Sequence, residues 1–137
     1  MAMGLFLDRV SENLNDWKVD SAGTWAIEGE PAMTYVLELL QQRDIDISQH
    51  LSQPVSEQLL NQFNLILTME RGQKEGLKVE FPNLANRIYL LSEMVGQVFE
   101  IRDPVGGPAV EYLATMREIE QLITKGFDRI NQLADSQ

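Results

Sequence analysis

Two short apolar runs, "FNLILTM" at 63–69 and "RIYLL" at 87–91, constrain the fold of this 137-residue chain more than any other feature. Each is nearly continuous rather than alternating, so neither offers a polar face to water. Runs of this length, bounded by polar and turn residues, read as strands buried on both faces, as in parallel sheets. Helical segments surround them. "ERGQKEGLKVEF" (70–81) reads as a helix, with Pro82 beyond its end. Ser56 is placed to cap a helix whose first turn holds Glu57. "SEMVGQVFEI" (92–101) reads as a short helix or loop, and "RDPVGGP" (102–108) as a loop. Pro108 then opens the longest helix, with Leu113, Met116, Ile119, Ile123, Phe127 and Ile130 three and four residues apart.

The amino-terminal half continues the alternation. Met1, Leu5, Phe6, Val10 and Leu14 share one side at helical spacing. "WKVDSAG" (17–23) sets Trp17 and Val19 against polar neighbours and ends on Gly, which predicts a strand. "TWAIEGEP" (24–31) is loop, after which Pro31 occupies a first-turn position. The next helix carries Tyr35, Val36, Leu39 and Leu40 on one face, and 44–55 is loop. The order helix, strand, helix, helix, strand, helix, strand, helix is that of an α/β fold, a parallel sheet covered on both faces in three layers. The length suits one domain, 1–137, and no repeat, low-complexity tract or linker interrupts it.

Composition removes several function classes. Eleven basic residues against 21 acidic ones give a net charge of −10. Such a surface repels phosphate backbones, so nucleic acid is not an expected partner. No apolar run approaches the ~18–20 residues of a membrane span, and the start lacks the pattern of a secretion signal. A cytoplasmic protein without membrane contact is the expectation. With no cysteine and one histidine, His50, disulfides and Cys/His zinc sites are excluded, and neither metal nor cofactor is expected. Cysteine nucleophilic chemistry is likewise absent from these residues.

One feature conflicts with the rest. Parallel strands are joined by right-handed crossovers, so a helix that opens such a fold normally comes after a strand. In the doubly wound order 2-1-3-4 that first strand is central, and ligands bind beyond its carboxyl end. Here the chain opens on the helix. The Met1 ammonium would also meet the positive end of that helix, at a cost of ~0.3–1 kcal/mol.

The runs "VDSAGTW", "SQH" near residue 50, "NLILTMERGQKEGL" and above all "RDPVGGP" before a long final helix resemble low-molecular-weight protein-tyrosine phosphatases. The likeness tracks the family in order over essentially the whole chain. In that family the phosphate loop reads Cys-x-x-x-x-x-Arg-Ser-Pro, then Met-Ala and helix one; "MAMGLF" resembles the stretch just after Ser-Pro. The resemblance implies a four-stranded parallel sheet of order 2-1-3-4, with the central first strand and the Cys loop missing from this chain. It implies a phosphocysteine mechanism in the full-length form. The loop amides, the helix amino end and the Arg hold the phosphoryl oxygens, and an Asp protonates the leaving group.

Carried over by resemblance, Asp103 is that general acid, although Asp-Pro alone would read as a turn. Ser21 and His50 match positions that brace the phosphate loop; a lone loop histidine would otherwise be an ordinary polar residue. Trp25 and Val105 match positions flanking the substrate, Trp25 reading equally well as a half-buried aromatic. Glu70 comes after a buried strand and either lies near the site or caps the next helix. Many tyrosine-specific members place aromatics just after the DP pair, where this chain has Val105 and Gly106. "DPVGGPAVEY" is similar to bacterial relatives, protein-arginine phosphatases among them. The expected substrate is therefore a phosphorylated protein, with the 137 residues alone inert. The alternative is a noncatalytic descendant that binds a partner through exposed inner strand edges. Either form is expected to self-associate. Arsenate reductases need further cysteines and response regulators a matching Lys loop; both are set aside.

Overall fold

A computed structural model describes residues 1–23, 34–104 and 107–135, without the side chains of Leu14 and Thr34. In chain order it contains α1 (Ala2–Arg9), α2 (Thr34–Gln41), α3 (Glu57–Leu60), β1 (Ile66–Thr68), α4 (Arg71–Glu80), β2 (Ile88–Leu90) and α5 (Ala109–Asp135). Stretches of 3-10 helix occupy Ser11–Asp16, Pro82–Arg87 and Leu91–Val95. Pro31 and its first-turn role lie outside the described residues.

The two apolar runs meet as expected. β1 and β2 pair in parallel, with Ile66 opposite Ile88, Leu67 opposite Tyr89 and Thr68 opposite Leu90. Successive side chains point to opposite faces. Leu65, Leu67, Met69 and Tyr89 pack on the larger core, built from α1, α2, α5 and residues 91–95. Ile66 and Ile88 join Leu60, Leu77 and Leu84 in a second core beneath α3 and α4. Helices therefore cover both faces of the pair, which gives the α/β layering read from the sequence.

Three readings change. The segment at 17–23 carries no strand ladder; Gly23 alone forms a parallel bridge, to Pro54. The described residues thus hold a two-stranded sheet and the Gly23–Pro54 bridge, rather than the three strands read from the sequence. The physical reason is a lack of partners, since residues 17–22 have no described strand hydrogen-bonded along their length. β1 is less buried than its apolar sequence implies, because it is paired on one side only: Ile66 and Leu67 stay half-buried. Finally, the opening helix stops at Arg9 and gives way to a 3-10 stretch kinked at Asn13 (φ −130°, ψ 34°). That kink brings Trp17 back onto Phe6, edge to face at 5.3 Å, with Phe127 of α5 5.7 Å from Trp17.

Local signals account for the other boundaries. Ser56 Oγ accepts the Leu59 N–H at 3.1 Å, yet α3 lasts one turn. Glu70 caps α4 in a reciprocal capping box with Gln73. Gly96, at φ +77°, ends the 91–95 turn in a conformation that costs glycine nothing. Among the described residues no helix is long and apolar enough to cross a membrane.

Helix α5 lies very close to the 91–95 turn. A Cβ at Gly126 would stand 2.6 Å from Met94 Cβ and 3.0 Å from its carbonyl oxygen, atoms that cannot swing aside. Gly126→Ala gains about 1 kcal/mol of helix propensity. Overpacking of about 1–3 kcal/mol outweighs that gain. A net destabilisation of up to about 2 kcal/mol is expected from urea midpoints; a raised midpoint would show that the turn yields.

Burial pushes the Met1 ammonium below its ordinary value of 8.0. The unfolded chain then holds more protons than the folded one between that lowered value and 8.0, so stability rises with pH across the window. Urea midpoints should increase from neutral pH to about pH 8, and amino-terminal acetylation should abolish that increment.

Candidate active site

The carboxyl end of β1 is where a parallel sheet leaves room for a ligand, and three segments relate to it through a hydrogen bond or a shared trough. The first is 20–23. Ser21 Oγ lies 2.9 Å from His50 Nε2, and Asp20 Oδ1 lies 3.9 Å from His50 Nδ1. Asp20 also accepts the Ser21 N–H at 2.9 Å, which fixes its carboxylate beside the ring. Gln53 Nε2 donates to the Ser21 carbonyl at 3.1 Å, and Gly23 N–H donates to the Gln53 carbonyl at 3.0 Å. Residues 50–55 therefore hold 20–23 by side chain and main chain together.

The second segment is the end of β1 itself. Met69 N–H and Glu70 N–H share the Gln73 side-chain carbonyl, each at 3.3 Å. Glu70 thus spends its polar groups on capping, the structural one of its two sequence readings. The third segment is 99–103. Ile101 N–H donates to the Met69 carbonyl at 2.9 Å, and Glu100 accepts the Arg71 N–H at 3.0 Å. Ser92, almost fully buried, donates to the Phe99 carbonyl at 2.8 Å and accepts the Phe99 N–H at 3.1 Å. Asp103 is exposed two residues beyond that anchorage, and its loop closes with Gly107 N–H donating to the Pro104 carbonyl at 2.9 Å.

Of the residues singled out in the sequence, Ser21 and His50 are in direct contact. Asp103 belongs to the loop tied to the end of β1. Trp25, Val105 and Gly106 lie outside the described residues. Sequence reading missed Asp20 and Gln53. Asp20 was signalled within "VDSAG", as an acidic neighbour of a serine whose partner is an imidazole; Gln53 acts through the main chain, which no side-chain pattern advertises.

Below these segments a trough of ≈ 910 Å³ opens between residues 17–23 and 64–69. Phe6, Ile123, Phe127 and Ile130 line it from α1 and α5, and Leu60 and Leu77 from α3 and α4. Ser21 and Met69 also line it.

A family model for low molecular weight phosphotyrosine protein phosphatases matches residues 1–135. The chain belongs to that family. Among its relatives is the protein-arginine-phosphatase of Bacillus subtilis (strain 168), 31% identical over 127 residues, covering 90% of this chain and 82% of the relative. Another is the low molecular weight protein-tyrosine-phosphatase PtpB of Staphylococcus haemolyticus, 34% identical over 112 residues, covering 82% of this chain and 79% of the relative. In three dimensions it is similar to the low molecular weight protein tyrosine phosphatase from T. tengcongensis. That match has a TM-score of 0.87 at 33% identity and covers 93% of this chain and 88% of that one. The arginine phosphatase from Geobacillus stearothermophilus superposes with a TM-score of 0.86 at 27% identity, over 96% and 83% of the two chains.

Asp20 beside Nδ1 favours a proton there, which leaves Nε2 to accept the Ser21 hydroxyl. Nitrogen-15 NMR of neutral His50 should therefore show the Nδ1–H tautomer. Asp20→Asn should shift the population toward Nε2–H; an unchanged tautomer would show that Asp20 does not orient the ring.

Proposed function

We propose that this fold serves a phosphoprotein phosphatase of the phosphocysteine type, in which these 137 residues supply the proton donor and the braces but not the nucleophile. The observation that carries the reading is the Ser21–His50 hydrogen bond, Ser21 lining the same trough as Met69, to which the Asp103 loop is tied. In the reaction a cysteine thiolate attacks phosphorus, the S–P bond forms and the bond from phosphorus to the leaving oxygen, or to the leaving nitrogen of a phosphoarginine, breaks as Asp103 gives that atom a proton. Asp103 then takes a proton from water, the oxygen of which displaces sulfur and releases phosphate. Ser21 and His50 brace the phosphate loop in its binding conformation. Trp25 and Val105 flank the substrate.

The chain contains no cysteine, so this route is closed to the 137 residues alone. The substrate is a phosphorylated protein. A phosphoarginine reading has support of its own: no aromatic comes directly after the DP pair, where Val105 and Gly106 stand. The B. subtilis relative also bears the name protein-arginine-phosphatase.

The 137-residue chain should hydrolyse p-nitrophenyl phosphate no faster than a blank. A fusion that places a strand and a Cys-x-x-x-x-x-Arg-Ser-Pro loop before Met1 should turn over, lose all activity as its Cys→Ser form, and lose about 10²–10³-fold in kcat as Asp103→Ala. An inert fusion would favour the noncatalytic binding module. Turnover by the unfused chain that Asp103→Ala abolishes would overturn the proposal.

A further inference from the structure

We propose that Glu100 is a positioning residue for Asp103: its carboxylate, seated on the first amide of α4, sets the direction in which residues 101–103 leave the core. The inference deepens the phosphatase reading and rests on it. An acid delivers its proton well only when its carboxyl is aimed at the leaving atom, and a misplacement of about 1 Å can cut a rate about 10²-fold. Asp103 is exposed on an irregular segment, so its aim is inherited from whatever fixes residues 99–101.

Two ties hold that segment to the end of β1 and the start of α4. Ile101, buried in the larger core, donates its amide to the Met69 carbonyl at 2.9 Å. Arg71 N–H donates to Glu100 Oε1 at 3.0 Å. One tie fixes a point, about which the segment can still turn. A second, from the preceding residue to an amide two positions farther on, fixes a direction. The Arg71 amide is among those that open a helix without an intrahelical acceptor. The capping box takes up the amides of Glu70 and Gln73, and Glu100 takes up that of Arg71. A carboxylate suits this place, because the helix dipole favours it and the bond is charge-assisted.

The same carboxylate closes a ring. Lys74, one turn along α4, pairs with Glu93 of the 91–95 turn. Ser92, next to Glu93, holds both main-chain groups of Phe99. Phe99 leads into Glu100, and Glu100 returns to Arg71. α4, the turn and the loop are thereby joined in one closed frame. Lys74 and Glu93 are half-buried and Ser92 is buried, so their loss would disturb the interior. Glu100 is exposed, and removing its carboxylate opens the frame while both apolar cores stay packed.

The test has two arms. In the 137-residue chain, amide hydrogen exchange is read residue by residue. Glu100→Ala should speed exchange of the Arg71 and Ile101 amides about tenfold. Glu100→Gln keeps an oxygen acceptor and should stay within about threefold of the parent. In the fusion bearing the Cys loop, Glu100→Ala should lower kcat/KM about tenfold for phenyl phosphate but less than about threefold for p-nitrophenyl phosphate, because a good leaving group needs little help from an acid. Glu100→Gln should restore most of the loss. On an Asp103→Ala background, Glu100→Ala should bring no further loss, since an effect routed through Asp103 disappears with it. Unchanged exchange, equal losses on the two esters, or additive losses in the double variant would each overturn the proposal. Exchange requires no turnover, so an inert fusion counts against the phosphatase reading, whereas an active fusion indifferent to Glu100 counts against this inference alone.

Discussion

The hydrogen bond from the Ile101 amide to the Met69 carbonyl joins the end of β1 to the loop that carries Asp103. The candidate site depends on it. β1 is fixed by its parallel register with β2 and by helices on both faces, so the Met69 carbonyl just past its end is a rigid point in the molecule. A main-chain bond to that point transfers the rigidity to a segment with no regular structure of its own. Glu100, through the Arg71 amide, and Ser92, through Phe99, hold the same segment from two other directions. Ser21 and His50 are held differently, by a loop-to-loop network in which Gln53 supplies both a side-chain donor and a main-chain acceptor. Two irregular stretches of backbone thus reach fixed positions without a strand or helix between them.

Much of this was legible in the sequence, and the legible parts share a cause. The runs at 63–69 and 87–91 produced two parallel strands because continuous apolarity leaves few alternatives. α4 ended and α5 began near their expected residues because Pro82 and Pro108 punctuate them. The segment 17–23 was misread because alternation records which faces a strand would bury, not whether a neighbour exists to pair with. Periodicity carried the first helix past Arg9, where tertiary contact of Trp17 with Phe6 and Phe127 wins over local pattern.

The site was legible only through family likeness. Composition and spacing alone left Asp103 a turn residue and His50 an ordinary polar side chain; the contact between Ser21 and His50 joins positions 29 residues apart, which no local pattern encodes. Asp20 escaped notice for the opposite reason. It sits next to Ser21 in the chain, and its part emerges only when the imidazole is seen lying across the pair.

The Ser92 hydroxyl clasps the amide and the carbonyl of the same residue, Phe99, and touches nothing that a different side chain there would remove. That clasp would outlast a change of side chain at residue 99, whereas the rest of the hold on the Asp103 loop would not: the Phe99 ring packs on the larger core and the Glu100 carboxylate binds the Arg71 amide. Divergence in this stretch can alter how firmly the loop is seated while its point of departure, set by backbone atoms, stays where it is.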